Sequence, residues 1–261
     1  MANENRATFI GRLVRDPEIK KLSSNSTVAN LTIATTRRFK DKEGEFKEDT
    51  CYIDIVSWNR QAEIVDQFLV KGQQVYCTGH LELDQWKSQH VCKNCGHEEE
   101  TQKQKHRMVM NKVQFLGKLK KDNPNEKTFT ANLNRVEMIG RLVRDPEIKE
   151  LASGSLVANL SIATTRKFKN KEGDLREDTC YIDVVAWNRQ AENVEDYLVQ
   201  GQEVWTDGHL ELDQWKAEQL CKDCGHTEEV QRQKHRMVMD KFQCTGSFKK
   251  ERPQNPDRRD E

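Results

Sequence analysis

Apolar and polar positions along the first half of the chain fall into five stretches of strand character and one of helical character. Ala7 to Val14 and Val28 to Thr36 are rich in Val, Ile, Leu and Thr, and the turn residues Ser23-Ser24-Asn25-Ser26 separate them. Thr50 to Trp58 alternates: Cys51, Ile53, Ile55 and Ser57 face one way, Tyr52, Asp54, Val56 and Trp58 the other. With the isoleucines turned inward, Tyr52 and Trp58 share the outer face. Gln61 to Val70 carries Ile64, Val65, Phe68 and Leu69 on one helical stripe, with Gly72 just past its end. Gln73 to Lys87 and Lys105 to Phe115 read as the last two strands. Phe9, Phe68 and Phe115 read as core.

The whole pattern then repeats. Ile10-Gly11-Arg12-Leu13-Val14-Arg15-Asp16-Pro17-Glu18-Ile19-Lys20 recurs letter for letter as Ile139 to Lys149, and His80 to Lys87 recurs as His209 to Lys216. The match runs without a gap, which marks a duplicated domain; solenoid units are only ~20–50 residues long. The reading is a first module over 1–118, a polar linker over 119–133, a second module over 134–248 and a polar, disordered tail over 249–261. Five strands with one helix between the third and fourth is the order of an OB-fold, a small barrel that commonly binds oligonucleotides. The expected class is all-β, two tandem five-stranded OB-fold barrels with a small helix in each.

Charge narrows the function. Lys+Arg and Asp+Glu are equal at 43 each, giving no net charge. Zero net charge does not suggest coating of nucleic acid by global charge alone, and binding of a polyanion needs a local basic groove. No apolar run reaches bilayer length, and Met1-Ala2-Asn3-Glu4-Asn5 does not open a signal peptide, so a soluble, cytoplasmic protein is expected. In that compartment eight cysteines read as buried thiols or metal ligands before disulfides. No nucleophile motif or open catalytic metal set is evident, and an enzyme is not expected.

Gly11-Arg12-Leu13, Asp16-Pro17-Glu18, Val28 to Thr36, Phe39-Lys40-Asp41-Lys42-Glu43-Gly44-Glu45, Thr50, Trp58, Ala62-Glu63 and Lys71 to Tyr76 follow one another in an order and spacing that resemble bacterial single-stranded-DNA-binding proteins. The resemblance covers nearly all of both modules. It implies sequence-tolerant binding of single-stranded DNA in replication, recombination and repair, and a homodimer presenting four OB-folds where most members are homotetramers of single modules. It also maps the stacking positions onto Phe39, Tyr52, Trp58 and Trp86, and in the second module onto Phe168, Tyr181, Trp187 and Trp215. Every base has a π-face, so stacking holds any sequence. Cations lie beside these rings, with Arg12, Arg37 and Arg60 and their copies Arg141, Arg166 and Arg189 the leading phosphate contacts.

One insertion departs from the family. Cys92-Lys93-Asn94-Cys95-Gly96-His97 occupies a hairpin tip, and Cys221-Lys222-Asp223-Cys224-Gly225-His226 repeats it. Two cysteines three apart before a glycine form a zinc knuckle, which supplies half of a tetrahedral structural site. The expectation is a Cys₂His₂ site in each module, with His106 as the third ligand and His97 as the fourth in the first module and His235 standing for His106 in the second; the alternative is one Cys₄ site shared by Cys92, Cys95, Cys221 and Cys224. The chain's last residues lack the acidic, hydrophobe-tipped end by which family members recruit replication and repair proteins. Two other functions stay open: RNA binding through the same rings, and a zinc-linked protein scaffold that has lost DNA binding.

Overall fold

A computed structural model describes residues 4–23, 25–41, 43–116, 131–170 and 172–245. The expected linker and tail fall largely or wholly outside these residues. The first module is β1 (Glu4–Leu13), β2 (Glu18–Lys21), β3 (Thr27–Lys40), β4 (Phe46–Trp58), α1 (Arg60–Phe68), β5 (Gln74–Val91) and β6 (Glu98–Leu116). The second repeats it as β7 (Leu133–Leu142), β8 (Glu147–Glu150), β9 (Leu156–Lys169), β10 (Leu175–Trp187), α2 (Arg189–Tyr197), β11 (Glu203–Leu220) and β12 (Thr227–Cys244).

Five of the six strands close a barrel in the order β1-β3-β4-β6-β5, and short β2 pairs only with β3 at its edge. The ring closes where β4 meets β6 in parallel, Asp54 to Arg107 through Val56 to Val109, and where Arg12 and Leu13 of β1 meet Ala34 and Ile33. At that second seam a Cβ on Gly11 would lie 2.5 Å from the Ala34 carbonyl oxygen, so only glycine lets the strands approach. Phe9, Leu31, Ile33, Ile53, Ile55, Leu81 and Met108 fill the interior. The alternation read from β4 holds: Cys51, Ile53 and Ile55 are buried and Tyr52 and Trp58 exposed. Val56 lies on the outer face yet is also buried; its counterpart Val185 packs with Val157 and Val238 in a small apolar floor outside the barrel.

The helix corrects one expectation. Ala62, Val65 and Leu69 are its buried line, while Phe68 is exposed and packs against Phe115, ring centroids 5.7 Å apart, on the surface. Neither phenylalanine belongs to the core.

The two barrels join in one 12-stranded sheet through β1 and β7, which run antiparallel. Ala7 lies opposite its own counterpart Val136, and the register extends symmetrically to Glu4 against Ile139 and Ile10 against Leu133. A pseudo-twofold axis therefore passes through the Ala7–Val136 pair. The contacts around it are reciprocal: the Thr35 hydroxyl donates to the Leu133 carbonyl at 3.2 Å, and the Thr164 hydroxyl to the Glu4 carbonyl at 3.4 Å. One buried cluster runs through both modules, so the junction is continuous with the core.

Candidate nucleic-acid interface and cysteine cluster

Two long hairpins per module carry the rings. Phe39 stands near the end of the β3–β4 hairpin, where it faces Lys47 across the ladder, and Tyr52 and Trp58 occupy the outer face of β4. Trp86 lies on the β5–β6 hairpin opposite Lys103. All eight predicted stacking rings are between 38% and 47% exposed. A core ring would be covered, and these are not. A ninth ring escapes sequence reasoning: Phe46 is 60% exposed, with the Arg38 guanidinium 4.4 Å and the Lys40 ammonium 5.1 Å from its ring centroid. Its counterpart is Leu175, so the duplication gives no signal for an aromatic there.

The arginines divide into three kinds. Arg60 and Arg189 are exposed at the first positions of α1 and α2. Arg12 and Arg141 each donate to a backbone carbonyl, of Gly72 at 3.0 Å and Gly201 at 3.1 Å, and so brace the loop after the helix. Arg37 and Arg166 cross the module junction: Arg37 pairs with Glu211 and Arg166 with Glu82, both at 3.1 Å, while their guanidiniums lie 5.0 and 4.9 Å from the Phe39 and Phe168 centroids. They fix those rings and join the modules, which leaves them less free for phosphate.

Beneath Trp86 runs a groove of about 300 Å³ lined by Arg15, Lys20, Asp54, Val56, Lys105 and Arg107 among others. The second module has its equivalent, about 320 Å³, over Arg144, Lys149, Asp183, Val185, Lys234 and Arg236. In both grooves the cations are partly neutralised, and the first shows how. Lys105 holds Asp54 at 2.5 Å, and Arg107 reaches Glu82 at 3.3 Å and Asp84 at 2.8 Å. Burial raises the Asp54 carboxyl, but the bonds from Lys105 and Thr32 outweigh it and hold the pKa below the usual range.

The knuckles lie at the tips of the β5–β6 and β11–β12 hairpins. In the first, the Cys92 amide donates to the His97 carbonyl and the Gly96 amide to the Cys92 carbonyl, both at 2.9 Å, with Gly96 at φ 74°. That turn aims both thiols one way, and the left-handed backbone suits glycine. The tips of the two modules meet. Cys92 Sγ lies 3.7 Å from Cys224 Sγ, Cys95 Sγ lies 3.7 Å from Cys221 Sγ, and all four sulfurs are within 4.8 Å of one another. Around them the Lys93 amide donates to Glu228 Oε1 at 2.5 Å, and Lys222 pairs with Glu99. The His226 amide and the Cys95 thiol pull the Cys224 thiol down to about 6. Cys95 is pushed up, against its own bond from the His97 amide, by Cys224 and by burial. Four thiols this close cannot all ionise without a cation among them.

The predicted ligands His106 and His235 are not at this cluster, which corrects the expectation of one Cys₂His₂ site per module. The β5–β6 ladder is continuous from Val91 opposite Glu98 down to Leu83 opposite His106. Eight strand steps take the chain from Glu98 to His106, about 26 Å at ~3.3 Å per residue. Both histidines are instead buried at the arm bases and bonded to backbone carbonyls of the opposite module.

A family model described as the single-strand binding protein family matches residues 4–116 and 133–244. The single-stranded DNA-binding protein of Helicobacter pylori is 38% identical over 120 residues, which cover 46% of this chain and 62% of that protein. Single-stranded DNA-binding protein 1 of Chlorobaculum tepidum is 42% identical over 82 residues, covering 31% of this chain and 51% of that one. The chain thus spans between half and two-thirds of the length of these relatives. The wild-type single-stranded DNA binding protein from Thermus aquaticus superposes with a TM-score of 0.67 at 21% identity, covering 97% of this chain and 98% of that one, a likeness of fold. With both modules matched, the chain belongs to the single-strand binding protein family.

Proposed function

We propose that the protein binds single-stranded DNA without sequence preference and protects it during replication, recombination and repair, with no catalytic step of its own. The observation that carries this reading is the set of four partly exposed rings in each module, Phe39, Tyr52, Trp58 and Trp86 and their copies, set among cations on long hairpins. Stacking supplies sequence-tolerant affinity, and the arginines and lysines follow the phosphates. Competition between matched DNA and RNA oligomers tests the sugar, which stacking does not choose. A preference for the RNA strand would overturn the DNA reading. No binding to oligo-dT at low salt would favour a protein scaffold.

The cysteine cluster suits structural zinc in the Cys₄ form. With Zn–S near 2.3 Å, the edge of a tetrahedral ZnS₄ unit is about 3.8 Å. The Cys92–Cys224 and Cys95–Cys221 sulfur separations of 3.7 Å match that edge. Bound there, zinc would tie the tips of two polar arms that have little core of their own.

A homodimer with four OB-folds completes the reading. It is supported by the outer face of the four central strands, where half-buried Ile10 lies beside Tyr76 and Ile139 beside Trp205, flanked by the Arg135–Asp207 pair at 2.9 Å. A second copy fits such a self-complementary face. Mass in solution should be twice the chain mass of 30.5 kDa.

A further inference from the structure

The arms of the two modules touch at both ends and stand apart between. At their bases His106 and His235 meet across the pseudo-twofold axis, ring centroids 6.2 Å apart. At their tips the four cysteines converge, with the Lys93–Glu228 and Lys222–Glu99 contacts beside them. Between base and tip lies a cavity of about 670 Å³, lined from both arms. Sites that enclose a drug-sized ligand span roughly 300–1,000 Å³.

Its lining differs from the rest of the molecule. Trp86 and Trp215 face it with four cations, Lys103 and Arg232 together with Lys105 and Lys234, the last two paired with Asp54 and Asp183, and its remaining residues are mainly glutamines. Among the described residues no carboxylate lines it, although acids and bases are equal in number over the chain. Two indoles, amides and a surplus of cations suit a ligand with aromatic faces and negative charges. The cavity also adjoins both module grooves, sharing Trp86 and Lys105 with the first and Lys234 with the second.

The geometry points to a single strand of DNA threaded through the opening between the arms, running from the groove of one module to that of the other beneath the cysteine clasp. This rests on the reading of the chain as a single-stranded-DNA binder with zinc at the Cys₄ cluster. Trp86 and Trp215 stack on bases from the two sides of the axis, and the cations hold the phosphates that flank them. With zinc bound the clasp closes a ring of protein around the strand. Linear DNA can enter or leave by an end; circular DNA can do so only while the clasp is open.

The test uses the full chain, circular single-stranded DNA and the same DNA cut once. Zinc-depleted, reduced protein is bound to each, zinc is restored, and both are challenged with high salt and excess oligo-dT. Threading predicts that protein stays on the circle and leaves the linear strand, and that Cys92→Ser with Cys221→Ser abolishes the difference. Protein loaded with zinc beforehand should not be trapped on the circle. Equal loss from circle and linear DNA by protein that holds one zinc per chain and binds oligo-dT normally would overturn threading and leave the binding function standing. Failure to take up zinc would overturn the clasp itself, and loss of oligo-dT binding by the intact protein the parent reading.

Discussion

His106 and His235 meet edge to face at an interplanar angle of 83°, and each donates its Nε2 proton to a tyrosine carbonyl of the other module. His106 bonds the Tyr181 carbonyl at 2.7 Å, and His235 bonds the Tyr52 carbonyl at 2.8 Å. A carbonyl only accepts, so Nε2 carries the proton on both rings. Tyr52 and Tyr181 are also proposed stacking residues. The base of each arm is thereby fixed to the strand that carries the tyrosine ring of the other module.

This pairing sets a pH dependence. Burial lowers the pKa of both imidazoles from 6.5, His235 to about 4 despite its bond to Tyr52. For His235, between about 4 and 6.5 the unfolded chain takes up a proton that the folded junction refuses, so stability rises with pH across that window, and His106 acts in the same direction. The His235 share should be fully present above 6.5, decline as pH falls, and stop declining below about 4. Thermal unfolding followed from about pH 7 to about pH 4 should show this slope, and His235→Gln, which keeps a donor but cannot titrate, should make it shallower and leave the His106 share. An identical slope in the variant would mean that the histidine does not set it.

Metal content separates the two arrangements that the sequence allowed. Elemental analysis of reduced protein never exposed to chelator should give one zinc per chain, and His106→Ala should leave that ratio unchanged. Cys92→Ser should lose the metal. Two ions per chain would require each module to close its own site. On chelation the barrels should remain folded, because Phe9, Ile33, Ile53 and Leu81 pack without help from the arms.

Salt should weaken binding, with log K falling linearly against log salt by about 0.7 per phosphate neutralised on a single strand. The exposed Arg60 should contribute more to that slope than Arg37, whose guanidinium is already paired with Glu211. Titrations of Arg60→Gln with Arg189→Gln against Arg37→Gln with Arg166→Gln check the order. A larger loss of slope from the second pair would show that strand binding breaks the junction ion pairs.

How far the sequence can be read follows the strength of its alternation. Cys51, Ile53 and Ile55 mark the buried face of β4 so plainly that the exposure of Tyr52 and Trp58 follows from period alone. Glu98 to Gln104 is polar on both faces because that part of the arm is solvated on both sides, and no alternation survives to reveal a strand. No strand is read before Lys105, which puts His106 close to the cysteines when eight steps of extended chain carry it away from Glu98. The phenylalanines mislead for the opposite reason. Phe68 and Phe115 have core chemistry, but Ala62, Val65 and Leu69 already fill the helix's contact with the barrel. The meeting of the two arm tips depends on β1 pairing with β7, a contact between distant segments that no local pattern announces.

Whether the strand lies across the exposed rings is decided by titrating the full chain with oligo-dT, following tryptophan fluorescence, and repeating the titration on Trp58→Ala with Trp187→Ala. Both rings are exposed on the outer faces of β4 and β10, so their removal should leave the fold and its melting temperature essentially intact. Quenching is expected in the parent protein and, in the variant, affinity lower by about 1–3 kcal/mol for each base deprived of its stacking ring. Unchanged affinity in a folded double variant would contradict this, because the strand would then lie elsewhere on the molecule.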